Sequence, residues 1–185
     1  FLLEKISKKT RIVNDPFAVR NMPEKLYSIE FLKLMPPTIF TRSIDEIEKF
    51  KKKYKNIVIK PTHGYGGKNI LFINKSINKK RISKYLKEHG HVMAQKFLPQ
   101  IKLGDKRIFI IDGIIKGAIR RIPMKGSIVS NIGQGGKAVK TILTKREIRI
   151  AKIVASDLKK NQIVFAGIDL ISNYLTGDIN ITSPT

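Results

Sequence analysis

Two rhythms of apolar residues alternate along this chain. One recurs at helical spacing, the other fills short β-branched runs, and turn residues separate them. Pro23-Glu24-Lys25-Leu26-Tyr27 opens a short helix with Pro at a first-turn position, ending before Pro36-Pro37. Residues 38–40 form a short strand. Ser43-Ile44-Asp45-Glu46 and Thr144-Lys145-Arg146-Glu147 are both capping boxes, a hydroxyl three residues before a glutamate. The first predicts a helix to about residue 54. The second predicts a helix that buries Ile148, Ala151, Ala155 and Leu158.

Strands are expected at 56–60, 69–73 and 92–97, with a helix over 76–88. The strands 56–60 and 69–73 flank Thr62-His63-Gly64-Tyr65-Gly66-Gly67-Lys68, a connection short enough to require antiparallel pairing. Asp112-Gly113 between 107–111 and 114–121 is a hairpin signal. Residues 122–140 carry four glycines and little periodicity, which predicts a long functional loop. A last hairpin spans 165–172 and 174–181. Helices mixed with antiparallel hairpins make the class α+β.

Composition changes this picture little. Hydrophobic residues are 42 % of 185, enough for a core. No apolar run approaches a membrane span, and no signal peptide stands at the start. Cysteine is absent, which excludes disulfides, thiolate zinc sites and a cysteine nucleophile and suits a cytoplasmic protein. The chain begins at Phe1 and stops after Ser183-Pro184-Thr185, which reads as a fragment of a longer protein. The formal charge is +23, from 37 Lys and Arg against 14 Asp and Glu. The excess is mostly lysine beside many Ile and Asn, a bias that an AT-rich coding sequence produces by itself. It is spread along the chain, whereas nucleic-acid binding calls for a localised patch. A positive field would attract phosphorylated or acidic substrates.

Three groups of residues could carry chemistry. Glycines at 64, 66 and 67 let backbone N–H groups close over phosphate oxygens, with Lys60 just before them. The Walker and dinucleotide patterns both fail here, and a structural hairpin explains the loop equally well. Asp178 and Asn180, two apart on a strand, share a face, and the facing arm can bring Asp169 beside them. Two carboxylates and an amide oxygen suit Mg²⁺, although turn chemistry alone also accounts for them. Arg107, Arg120 and Arg121 on adjacent arms offer forks for carboxylate or phosphate in a lysine-rich chain. His63, His89 and His91 make no metal pattern.

The order and wording of these pieces resemble bacterial-type glutathione synthetases of the ATP-grasp family, over essentially the whole chain. Asn14-Asp15-Pro16 and Glu24-Lys25-Leu26 resemble that family's entry into its ATP-binding region. Val58-Ile59-Lys60-Pro61 and Gly64-Tyr65-Gly66-Gly67 resemble its lysine strand and glycine loop. Met93-Ala94-Gln95-Lys96-Phe97-Leu98-Pro99 resembles its adenine linker. Gly104-Asp105-Lys106-Arg107, Arg121-Ile122-Pro123 and Phe165-Ala166-Gly167-Ile168-Asp169 follow in family order. Ile179-Asn180-Ile181-Thr182-Ser183-Pro184-Thr185 is the most distinctive match.

The resemblance implies an ATP-grasp fold in which two α+β subdomains with mainly antiparallel sheets clamp ATP. The expected divisions are 1–22, the end of a linker from an amino-terminal substrate domain; 23–100, the small subdomain; and 101–185, the catalytic subdomain. It implies ATP and Mg²⁺ (or Mn²⁺) as cofactors, and γ-glutamylcysteine and glycine as substrates joined through an acyl phosphate. It further implies a cytoplasmic homo-oligomer with neither nucleic acid nor membrane as partner. By position, Lys25 and Lys60 hold phosphates under Gly64, Gly66 and Gly67. Gln95, Lys96, Phe97 and Leu98 border adenine, and Asp105 meets the ribose side. Asp169, Asp178 and Asn180 bind the metal. Arg107 and Arg121 face the transferring phosphoryl group and the substrate carboxylate, while Ser183, Pro184 and Thr185 line the substrate end. The chain departs from the family pattern at Pro23, usually Asn, at Asp178, usually Glu, and at Val129, where the lid usually carries Arg. Gly177 is an added residue in the turn. Two other readings are kept beside this one: an ATP-grasp ligase that adds glutamate to a protein tail, and a basic nucleic-acid-binding module without catalysis.

Overall fold

The structure, a computed structural model, describes the chain except residues 1, 7, 8, 65, 125, 128, 129, 131–134 and 185. Two antiparallel sheets carry the architecture. The first has the order β1-β4-β2-β3, from β1 (Thr38–Thr41), β2 (Ile57–Pro61), β3 (Leu71–Ile73) and β4 (Val92–Lys96). The second has the order β7-β6-β5-β8-β9, from β5 (Asp105–Ile111), β6 (Ile114–Ile122), β7 (Lys137–Lys140), β8 (Phe165–Ile171) and β9 (Tyr174–Asn180). Short helices α1 (Leu2–Ile6) and α2 (Pro16–Asn21) precede them.

Each sheet has one face sealed by helices, and the two-residue period of a strand then decides what the other face shows. Helices α3 (Ile44–Tyr54) and α4 (Lys79–His89) cover the first sheet with Ile47, Phe50, Ile82, Tyr85 and Leu86. Ile57 and Ile59 of β2 point into that core. Val58 and Lys60 therefore point the opposite way. Helix α5 (Lys145–Lys160) covers the second sheet and packs on Ile108, Ile110, Ile168 and Leu170. Arg107 and Asp169 fall between those positions and face away from α5. Burying a side chain such as Leu158, which is completely inaccessible, stabilises by about 1.5–3 kcal/mol. Met93 of β4 and the segment carrying Ala18, Met22, Phe31 and Met35 join the second core.

Several local expectations shift. The segment after Pro23 is a 3-10 helix over Tyr27–Leu34, with Phe31 outside helical geometry. Ser28 bonds back to the Lys25 carbonyl through both its amide (3.2 Å) and its hydroxyl (2.6 Å), which tightens the turn. Strand β3 starts at Leu71 because Asn69 adopts a φ of +58° and gives its carbonyl to the Tyr85 hydroxyl. Helix α4 starts later than 76 because Asn78 caps it, accepting from the Arg81 amide at 3.0 Å. Four residues of the expected 122–140 loop form β7 and pair with β6. Val129 lies outside the described residues.

The box at Thr144 forms in full: the hydroxyl accepts from the Glu147 amide and Glu147 accepts from the Thr144 amide. Its helix does not bury Ile148, which is 37 % exposed. The buried stripe runs through Glu147, Ile150, Ala151, Val154, Ala155 and Leu158. Glu147 holds the inner position because it meets Lys106 of β5 at 2.7 Å. At Ser43 only half the box forms. Glu46 turns to the Thr41 hydroxyl, and Thr41 takes the Ser43 amide at 2.8 Å.

The hairpins at Asp112-Gly113 and Ser172-Asn173 turn through consecutive positive φ values. Gly177 is not in the second turn. It sits in a bulge of β9, where Thr176, Gly177 and Asp178 together oppose Asp169. No helix among the described residues is long and apolar enough to cross a membrane.

Candidate functional site

The free faces of the two sheets meet in a cleft. Lys60 projects from β2 and donates to the Thr176 carbonyl of β9 at 3.1 Å, so it bridges the sheets. Its ammonium also lies 3.3 Å from the Asp178 carboxylate. Lys25, just before the 3-10 helix, lies 3.4 Å from the other Asp178 oxygen and donates to the Gly64 carbonyl at 2.7 Å. The glycine loop is thereby tied to the carboxylate of the opposite sheet. Gly66 and Gly67 have φ values of +70° and +71°, a succession that a side chain would strain.

The second cluster is built by register. Antiparallel pairing sets Asp105 opposite Arg121 and Arg107 opposite Asp169. Arg121 grips Asp105 at 2.9 and 2.5 Å and also reaches Asp169 at 2.8 Å. Arg107 holds Asp169 at 2.6 and 2.8 Å and donates to the Pro184 carbonyl at 3.0 Å. All four side chains are buried. The bulge brings Asp178 to the same cleft, and Asn180 donates to the Gly167 carbonyl at 3.2 Å, which leaves its amide oxygen for another partner.

Electrostatics distinguishes these groups. Burial pushes the Asp178 carboxyl up, but Lys60 and Lys25 more than offset it and hold it at about 2. Burial raises Asp105 above the usual carboxylate range despite its bonds to Arg121. Burial works against the charge on Arg121, and Asp169 and Asp105 nevertheless hold it above the ordinary arginine value.

Every nucleotide-binding position expected from sequence lines this cleft: Lys25, Lys60, Gly64, Gly66, Gly67, Gln95, Lys96, Phe97, Leu98 and Asp105. So do Arg107, Arg121, Asp169, Asp178 and Asn180. Val58, Ile70, Phe97 and Leu98 supply an apolar wall, and Gln95 is fixed by a 2.9 Å bond to Thr38. The expected substrate residues divide. Pro184 touches Arg107, Ser183 is exposed and does not line the cleft, and Thr185 lies outside the described residues.

Glu24, Thr176 and Ser130, which line the same cleft, were given no role from sequence. Glu24 lines it beside Lys25, and burial raises its carboxyl. Thr176 donates to the Asp169 carbonyl at 3.0 Å. The Ser130 hydroxyl is buried and has no hydrogen-bond partner among the described residues. Glu24 follows a proline at a predicted helix start, which disguised it as a first-turn acid. Ser130 and Thr176 carry no sequence signal beyond residue type.

A cation-lined cleft between two antiparallel sheets, closed on one side by a glycine loop, defines the ATP-grasp class. Solved structures agree at the level of fold. D-cycloserine synthetase DcsG superposes with a TM-score of 0.74 at 18 % identity, over 98 % of this chain and 69 % of that one. D-alanyl-alanine synthetase A from Vibrio cholerae gives 0.69 at 14 %, over 94 % and 59 %. Within that class the chain belongs to the family described as prokaryotic glutathione synthetase, ATP-grasp domain, which matches residues 24–185. It is 41 % identical to the glutathione synthetase of Rhodopseudomonas palustris over 100 % of this chain and 59 % of that one. The figures for Bradyrhizobium diazoefficiens are 42 %, 99 % and 59 %. The chain thus spans about three-fifths of the length of these curated relatives.

Proposed function

We propose that this chain is the ATP-binding catalytic part of a glutathione synthase. In that reaction ATP phosphorylates the glycine-side carboxylate of γ-glutamylcysteine, and glycine displaces phosphate from the acyl phosphate. One observation carries the reading: Lys60 and Lys25 converge on Asp178 under the glycine loop, beside the Arg107 and Arg121 pairs. Phosphoryl transfer needs charge neutralisation and alignment more than a protein nucleophile, and these residues supply both. The names of the relatives point to the substrates.

Each residue has a role in this reading. Lys25 and Lys60 bind phosphate oxygens, and the amides at Gly64, Gly66 and Gly67 cover them. The buried Ser130 hydroxyl, without a partner among the described residues, is a further donor suited to an oxyanion. Val58, Ile70 and the Gln95–Leu98 stretch hold adenine. Asp105, with both oxygens on Arg121, orients that arginine toward the transferred group.

The donor chemistry fits Mg²⁺. Lys60 and Lys25 favour the ionised form of Asp178, Asp169 adds a second carboxylate, and the Asn180 amide oxygen a neutral donor. A bound Mg²⁺ would neutralise phosphate charge; the ATP-grasp ligase PsnB, similar in fold, is known in a structure complexed with minimal precursor, Mg and ADP. Cytoplasmic location and homo-oligomeric assembly belong to the same reading.

The test is ADP release by the full-length protein. It should require γ-glutamylcysteine, glycine and Mg²⁺ together. A folded sample that releases no substrate-dependent ADP would overturn the reading. Activity on a protein-tail glutamate instead would reassign the substrate within the same fold.

A further inference from the structure

Four acidic side chains line the cleft, and three have partners. Asp178 meets Lys25 and Lys60, Asp169 meets Arg107 and Arg121, and Asp105 meets Arg121. The fourth, Glu24, has no hydrogen-bond or ion-pair partner among the described residues. Holding a partly buried carboxylate without a partner costs folding energy, so its position is not explained by stability. Glu24 lines the same cleft as both ionic clusters, and Lys25 and Asp178 of one and Arg107 and Asp169 of the other all act on its charge. No bond joins it to either aspartate.

The ligase reading, on which this inference rests, leaves one requirement unmet. The attacking amine arrives as an ammonium ion, which has no lone pair. Lys25, Lys60, Arg107 and Arg121 act as donors in the ion pairs described, and the three paired aspartates are engaged with them. We propose that Glu24 is the general base that takes the ammonium proton of the incoming amine. An ammonium N–H bond breaks and the proton passes to the Glu24 carboxylate. The freed lone pair bonds to the acyl carbon as the carbon–oxygen bond to phosphate breaks. Phosphate leaves with that electron pair and with the second amine proton, which yields the amide. Burial raises the Glu24 carboxyl, the aspartates add to this, and Lys25 and Arg107 oppose it. A base of higher proton affinity is better matched to work near neutral pH.

The test compares two amines on the full-length protein and its Glu24→Gln variant. Glycine must lose a proton before attack, whereas hydroxylamine is already unprotonated at neutral pH and captures acyl phosphates. Loss of a general base costs about 10²-fold or more. The ratio of kcat/KM for glycine to that for hydroxylamine should therefore fall about 100-fold in Glu24→Gln. The glycine deficit should narrow as pH rises and free amine accumulates, and Glu24→Asp should recover part of the ratio. Equal losses on both amines would overturn the proposal, because the residue would then serve acyl-phosphate formation or the fold. A raised KM for glycine at unchanged kcat would overturn it in favour of ammonium binding alone. A changed Mg²⁺ requirement would overturn it in favour of a metal ligand. Wild-type protein inert toward both amines would instead defeat the ligase reading, a result distinguishable because no variant is involved.

Discussion

The two ionic clusters of the cleft hold their carboxylates in different ways. Asp178 is met by two lysines at 3.3 and 3.4 Å and keeps 26 % of its side chain exposed. Asp169 and Asp105 are met by two arginines at 2.5 to 2.9 Å, with at most 11 % exposed. Lysine is a mobile point charge, whereas arginine is a rigid fork that satisfies both oxygens of a carboxylate. On the proposed function, the lysine cluster would release its carboxylate to a ligand and re-aim its ammonium groups at phosphate. The arginine cluster is cross-linked across β5, β6 and β8 and cannot rearrange without disturbing the sheet. One cluster is suited to exchange partners, the other to hold shape.

The largest effect should follow from breaking the rigid cluster. Arg121→Met leaves Asp105 without its bidentate partner and removes one contact from Asp169. Removing one side of a buried pair costs about 3–5 kcal/mol. Urea unfolding should show that loss, and if stability falls by less than about 1 kcal/mol the cluster is not the framework described.

Lys60→Met should do the reverse. Asp178 retains Lys25, and the fold loses one bridge to the Thr176 carbonyl. An aimed charge at a transition state is worth about 10²–10³ in rate. ADP release should fall by that factor with a small change in urea midpoint. A large stability loss with normal rate would erase the contrast between the clusters.

Acid separates them more gently. The folded Asp178 carboxyl is held at about 2, below its ordinary value of 3.8. A depressed carboxylate contributes stability that is present above pH 3.8 and is lost as pH falls toward 2, amounting to about 2 kcal/mol. Asp105 has the opposite sign: its raised carboxyl takes up a proton in the folded state first, so acidification relieves its unfavourable contribution. Asp178→Asn should therefore flatten the most acidic limb of a stability-versus-pH curve. An unchanged limb would mean that the lysines do not hold Asp178.

What the sequence made legible follows the same division. The two-residue period of the last hairpin was readable, so Asp178 and Asn180 could be set on one face, with Asp169 on the facing arm, from sequence alone. The capping box at Thr144 was local and formed as read. Cross-strand register was not readable, so the pairing of Arg107 with Asp169 stayed hidden. Ile148 was misjudged because Glu147 beside it carries a buried bond to β5, a tertiary fact. The bulge was misplaced for a similar reason: a glycine three residues past Tyr174 reads as turn punctuation, and only pairing shows where the extra residues lie.

That bulge provides the smallest test. Gly177 adopts a φ of +90°, and an added Cβ would lie 2.8 Å from Met35 Cε and 3.0 Å from Met93 Sδ. Both obstacles are flexible thioether chains that can shift, so the main cost is backbone strain, about 1–2 kcal/mol. Relaxing that strain would swing Asp178, the next residue, away from Lys60. Gly177→Ala should therefore lower the thermal midpoint modestly and raise the Mg²⁺ concentration needed for half-maximal ADP release. Gly177→Ala combined with Met35→Ala separates the two causes. Space restored without recovery identifies the strained backbone as the element that sets the carboxylate, whereas full recovery would assign the effect to crowding by Met35.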